Sequence, residues 1–271
     1  MELQPILTIA FKELRDRLRN RWVLAVALVF TVFALVIAYF GGAQQGAVGL
    51  RSIEATIASL VSLVIYLIPL IALLLGFDAV VGERERGSLD LLLALPVTRL
   101  EVLMGKYLGL AAALTLSTLA GFGLVALLLA GQIGMAGLEP FLGFMFSSVL
   151  LGLAFLSLAV MLSVLARDRT RASGLAIALW FFFVLVFDLL LLGLLVAGGG
   201  EAAGHWFPYL LLFNPADVFR ILNIFSLDDM RSLYGLTSIV PGALAKPWLM
   251  ALVMLAWIAA PLGIATWRFR P

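Results

Sequence analysis

Cysteine is absent from this 271-residue chain, and histidine occurs once, at His205. Disulfide frameworks, iron–sulfur clusters and cysteine zinc sites are therefore excluded, and one imidazole cannot build a multi-histidine metal centre. Charge is scarce as well. Only 13% of residues are Asp, Glu, Lys or Arg, against 63% hydrophobic, and the mean hydropathy is +1.13. An ordinary soluble domain carries about 25% charged residues, so lipid is the expected solvent for most of this chain. The small net charge of +2 gives no reason to expect a nucleic-acid partner.

Catalytic signatures are also missing. The chain contains no H-E-x-x-H, no G-x-S-x-G and no pair of carboxylates within its apolar runs. The stretch GERERGS places Gly82 and Gly87 at P-loop spacing, but Ser88 stands where the phosphate-binding lysine belongs. An apolar run precedes it, not a buried strand. The chain is therefore expected not to be an enzyme by itself, with no catalytic, cofactor or metal site.

What remains is hydrocarbon. A helix needs about 20 apolar residues to cross a bilayer. Six segments qualify, at roughly Trp22–Phe40, Ala55–Phe77, Tyr107–Ala130, Phe141–Ala166, Ala172–Ala197 and Pro247–Trp267. Pro69 is a predicted kink in the second. The first is too long for a signal-peptide core of about 7–15 residues and reads as an uncleaved span. The basic residues then set the orientation. One set of segment ends carries Lys12, Arg15, Arg17, Arg19, Arg21, Arg84, Arg86, Arg99, Lys106, Arg167, Arg169, Arg171, Arg268 and Arg270. The other set carries only Arg51, Arg220, Arg231 and Lys246. Both termini are expected to face the cytoplasm. Residues 1–271 read as one all-α membrane domain with six spans, free of internal repeats.

Ahead of the first span, residues 1–21 predict an interfacial elbow helix. Leu3, Leu7, Phe11, Leu14 and Leu18 recur at helical spacing, opposite Lys12, Arg15, Asp16 and Arg19. Such a helix lies in the membrane interface, its basic residues near anionic headgroups. It is a topogenic anchor, a structural elbow, or both.

The connection between the second and third spans is sharply punctuated. Glu83, Arg84, Glu85 and Arg86 read as a solvated charge run, and Gly87 as a turn. Ser88 is the expected N-cap of a short leucine helix over Leu89–Leu95, with Asp90 in its first turn. Pro96 follows, and Thr98-x-x-Glu101 is a capping box opening the next helix. The leucines need an apolar surface, either the headgroup boundary or a groove on another protein.

Three further features stand out. Asp188 lies within the fifth span, where a carboxylate costs about 2.5–3.5 kcal/mol on insertion scales. It is either a proton or substrate site or a hydrogen-bonded group that packs helices, and the lack of a second intramembrane acid favours packing. Residues 198–246 form a long outer loop. Within it Trp206–Phe213 is re-entrant or interfacial, and Asn214-Pro215-x-Asp217 reads as a capped helix start. That loop could dock an external partner, or the run could be helix punctuation alone. Met250 and Met254, one turn apart, could hold a soft metal, but their default role is packing.

The run G-E-R-E-x-G-S-L-D-x-L-L-x-x-P-V-T-R resembles the signature of ABC-2-type permeases, the membrane subunits of ATP-binding-cassette exporters. The elbow, the six spans and the long final outer loop are similar too, so the resemblance covers the whole chain. The stretches IASLVSLVIYLIPLIALLLGFDAVVGE, WFFFVLVFDLLLLGLLV and LLLFNPADVFRILN resemble, more narrowly, the permease of the nitrous-oxide-reductase maturation system. The resemblance implies a type V exporter-like architecture in a bacterial inner membrane. It also implies a homodimer, two cytoplasmic ATPases that hold ATP and Mg, and a periplasmic β-helical accessory protein. The activity implied is ATP-driven maturation of the reductase's copper sites; the alternative is export of a lipid, drug or other small hydrophobic substrate. By the same resemblance Glu83, Arg84, Glu85, Arg86, Ser88, Leu89, Asp90, Leu92 and Leu93 would contact the ATPase. Arg167, Asp168 and Arg169 would lie close by as a lesser contact. Asp188, Asn214, Asp217 and Arg220 would serve a periplasmic partner or gating. With so few soft ligands, the chain is expected to transmit force and not to conduct copper.

Overall fold

The computed structural model describes residues 3–19, 22–40, 53–134, 138–197, 207–224 and 246–269. Among them every regular element is helical. In chain order these are α1 (Leu3–Arg19), α2 (Trp22–Phe40), α3 (Ile53–Gly76), α4 (Val81–Glu85), α5 (Ser88–Leu93), α6 (Arg99–Ile133) and α7 (Glu139–Leu165). The fifth apolar segment follows in three pieces, α8 (Arg169–Phe181), a π-helical turn (Phe182–Val186) and α9 (Phe187–Ala197). Beyond it come α10 (Phe207–Leu210), a 3-10 turn (Leu211–Phe213), α11 (Pro215–Ile224) and α12 (Pro247–Arg268). His205 and Trp206 lie outside the described residues, as do Arg21, Arg51, Arg231 and Arg270.

Among the described residues, five segments are long and apolar enough to cross a bilayer: Thr56–Glu85, Arg99–Gly131, Glu139–Leu165, Arg169–Ala197 and Pro247–Arg268. The segment expected as the first span is helical over Trp22–Phe40, with a shorter apolar stretch over Ala25–Ile37. Pro69 interrupts no helix, since α3 continues through it, and Pro261 sits likewise inside α12.

The bundle is organised around α7, 78% of whose apolar window is buried, against 22% for the fifth segment and for α12. Helix α7 packs on α3, α12, α6 and α11, while α1 and α2 pack along α6. A chain of aromatic contacts runs through this core. Phe122 meets both Phe30 and Phe144 at ring distances of 5.4 and 5.3 Å, and Phe144 meets Phe219 at 6.1 Å. Phe183 stands edge-on to Phe155 and Trp257. Met250 and Met254 are fully inside this core, which is the packing role expected of them.

Candidate functional site

The α3–α6 connection departs from its sequence reading in an informative way. Arg84, Glu85 and Arg86 are exposed, as a solvated charge run would be, and Glu83 is half-buried, but three of the four charges also bond to three different helices. Glu83 Oε1 accepts from Lys106 Nζ of α6 at 2.7 Å. Arg84 donates to the last carbonyls of α7, 3.0 Å to Ala166 and 3.4 Å to Val164. Glu85 Oε1 accepts from the backbone N–H of Arg169, at the start of α8, at 2.7 Å. The pairing follows helix electrostatics: a cation meets the carbonyl end of one helix, and a carboxylate meets the N–H end of the next. Arg86 is exposed.

Helix α4 is only five residues long and has no side-chain cap of its own. Its first two N–H groups, from Val80 and Val81, both donate to Ser163 Oγ of α7, at 2.9 and 3.0 Å. Ser163 therefore caps a helix whose first N–H groups lie 83 and 82 residues away in the chain. Arg169 Nε lies 3.0 Å from Asp78 Oδ1, an ion pair out of line for a hydrogen bond. Asp168 caps α8 through the N–H of Arg171 at 2.7 Å. The second loop thus sits directly against the first, and Arg167 and Arg169 leave the same end of the bundle.

Ser88 is not the N-cap of α5. Gly87 holds that position in the left-handed region, φ 71°, where a side chain would be strained. Ser88 is the first helical residue, and its hydroxyl donates to the Glu83 carbonyl at 3.3 Å. The capping box at Thr98 and Glu101 is present in full, at 3.2 and 2.8 Å. Leu89, expected among the contact residues, is buried in the bundle core. It fastens α5 down. Leu92 and Leu93 are half-buried, while Asp90 points outward with Leu91 (74% exposed) and Leu95 (56%). Leu91 and Leu95 belong on the candidate surface. A six-residue helix shows too little periodicity for sequence to sort its leucines by face.

Further along the fifth segment a second polar cluster forms. Asp188 lies roughly 14 Å from the end of α9 at 1.5 Å per residue. Arg220 NH2 of α11 stands 3.1 Å from Asp188 Oδ2. Its other terminal nitrogen donates to Asp217 Oδ1. Asn214 caps α11 by accepting from Ala216 N at 3.0 Å, and its amide donates to Asp217 at 3.0 Å and to the Phe183 carbonyl at 2.9 Å. That carbonyl belongs to the π-turn, where the helical register is broken. Asp188, Asn214, Asp217 and Arg220 therefore converge on one site. A second carboxylate does accompany Asp188; it arrives on α11 and not on a spanning helix. Beside α11, an apolar cavity of about 600 Å³ opens between α7 and α12, lined by Phe144, Leu150, Trp248 and the polar Ser147–Asn223 pair.

Comparison with known proteins fits this architecture. The sequence model described as "ABC-2 family transporter protein" matches residues 7–270. The chain belongs to the ABC-2 transporter family. The permease is 45% identical over 269 residues to the "Probable ABC transporter permease protein NosY" of Pseudomonas aeruginosa, covering 97% of each chain. It is 46% identical over 276 residues to the protein of the same name from Stutzerimonas stutzeri, covering 99% of each. The chain is thus a multi-pass ABC transporter permease, a transport subunit, and its family implies association with an ATPase subunit.

Proposed function

We propose that this permease is the inner-membrane subunit through which a separate ATPase drives maturation of the copper sites of nitrous oxide reductase. The kinship with two NosY permeases supports the biological setting. The observation that carries the mechanical part is the two-sided α5 helix, fastened by Leu89 and presenting Asp90, Leu91 and Leu95. An apolar helix face of this kind fits a groove on a partner. The ATPase holds ATP and Mg and docks there, with Arg86 and the Arg167–Arg169 turn at the rim. Because Glu83, Arg84 and Glu85 tie this loop to α6, α7 and α8, displacement of α5 is delivered to three helices at once. These move as rigid bodies.

In this reading α2 completes a set of six spans, α1 lies in the membrane interface, and both termini are cytoplasmic. The permease works as a homodimer. The Asp188–Arg220–Asp217 cluster is a latch between the fifth span and the periplasmic α11. It transmits the motion to a β-helical partner outside, and copper does not pass through the chain.

Co-expression with the candidate ATPase tests docking directly. Leu91→Asp and Leu92→Asp should insert normally and lose the ATPase on purification; retention of the ATPase by both would reject the surface. ATP-driven copper flux in liposomes containing only permease and ATPase would reject the transmitter role. The apolar cavity beside Trp248 favours a second reading, export of a small hydrophobic molecule. Gene neighbourhood separates the two: the reductase and a β-helical periplasmic protein next door support maturation, an ATPase alone supports export.

A further inference from the structure

Glu13 of α1 and Glu83 of α4 sit on elements far apart in sequence, yet one ammonium serves both. Lys106 Nζ is 2.7 Å from Glu83 Oε1 and 3.5 Å from Glu13 Oε2. Arg17 adds a second cation to Glu13 at 3.1 Å. The set holds two carboxylates and two cations, so its charges balance. Lys106 is 3% exposed, and a lysine so buried is stable only while paired.

The backbone packing places this group by design of sequence. Helix α1 lies against the Gly105-x-x-x-Gly109 run of α6. A Cβ at Gly105 would stand 2.7 Å from Ile9 Cβ, and one at Gly109 would stand 2.6 Å from the Ala10 carbonyl. Small residues four apart allow two helix backbones to touch, and Lys106 emerges at that contact. A neighbouring face of α1 exposes Leu3, Leu7 and Phe11, which suits a lipid surface. Helix α1 is therefore seated on α6 by glycine packing and leaves an apolar stripe free for lipid. Among the described residues, Lys106 joins α1 to the loop that carries α5 through ion pairs to both.

We propose that Lys106 is a positioning residue that joins the interfacial helix α1 to the α4–α5 loop, so that the two move as one body on the base of α6. This rests on the reading that α5 receives the ATPase. ATP-driven displacement of α5 then drags α1 along the membrane interface, and the interface helix becomes part of the moving machinery.

The test uses the full permease with its ATPase in nanodiscs. The chain contains no native cysteine, so spin labels at Arg15→Cys and at the exposed Ala94→Cys, in labelled protomers diluted with unlabelled ones, report one α1-to-loop distance. The expected distribution in the parent is narrow and the same in ADP and ATP-trapped states. Glu13→Gln, which leaves Lys106 paired with Glu83, should broaden it and make the two nucleotide states differ, while the ATPase still co-purifies. Lys106→Gln should broaden it further, and Lys106→Arg should restore a narrow distribution. A nucleotide-dependent shift in the parent, or a Glu13→Gln distribution as narrow as the parent's, would overturn the proposal. Failure of the ATPase to bind the parent rejects the docking reading instead, and the parent-to-variant difference in width still decides the role of Lys106.

Discussion

Ser163→Ala is the most exacting perturbation of the hub. The Ser163 hydroxyl is fully buried and accepts the N–H groups of both Val80 and Val81, at 2.9 and 3.0 Å. Removing it strands two donors that no water can reach. Each buried unsatisfied group costs about 1–3 kcal/mol, so the local penalty is roughly 2–6 kcal/mol. The same helix supplies its own control. Ser148 is equally buried, but it donates to the Phe144 carbonyl at 2.7 Å, an acceptor with a second lone pair already in the helical ladder. Ser148→Ala removes one hydrogen bond worth about 0.5–1.5 kcal/mol and strands nothing. Hydrogen exchange of the peptide covering residues 76–95, in nanodiscs, reads the difference. At about 1.4 kcal/mol per tenfold, Ser163→Ala should speed exchange there by about 30-fold or more. Ser148→Ala should leave that peptide unchanged. Equal effects of the two substitutions on this peptide, or none from Ser163→Ala, would refute the claim that α7 caps α4.

Other outcomes follow from the same geometry. Leu89→Ala should destabilise the protein by about 2–5 kcal/mol, as a core truncation, seen as a lower thermal midpoint. Arg220→Leu should cost about 1–3 kcal/mol, because it removes the charged donor that the buried Asp217 and Asp188 share. Asp188→Asn should cost under about 1 kcal/mol, since the amide oxygen still accepts from a partly exposed Arg220; thermal midpoints should keep that order. The seating of α1 should depend on pH. Burial raises the Glu13 carboxyl, but Lys106 and Arg17 beside it outweigh burial and bring it below its ordinary 4.5. A folded value below the unfolded one means the stabilisation is complete above the unfolded value and is lost as pH falls through the folded one. Hydrogen exchange of α1, normalised for its intrinsic pH dependence, should therefore be slow near neutral pH and accelerate only below the ordinary 4.5, with that step absent in Glu13→Gln.

Local chemistry was legible in the sequence and distant chemistry was not. The helix limits followed from apolar length, and both cap motifs, Thr98 with Glu101 and Asn214 with Pro215, formed as their spacing dictates. These signals act within one turn. The exposure of Arg84 and Glu85 was legible, but the bonds of Glu83, Arg84 and Glu85 were not, because their partners are 23, 82 and 84 residues away. Nothing in a charge run announces that a helix end will arrive beside it. The cap of α5 was placed on a hydroxyl, whereas the structure uses the positive φ of Gly87. Asp188 looked solitary because its companion Asp217 comes on α11, bridged by Arg220.

The central claim, that the exposed face of α5 receives the ATPase, is tested most directly by cross-linking. Leu91→Cys and Leu89→Cys, each in a chain without native cysteine, differ only in which side of one helix they occupy. With a bifunctional thiol-to-amine reagent and the ATPase present, Leu91→Cys should yield a permease–ATPase adduct and Leu89→Cys none. An adduct from neither position in a complex that co-purifies, or equal adducts from both, would contradict the account.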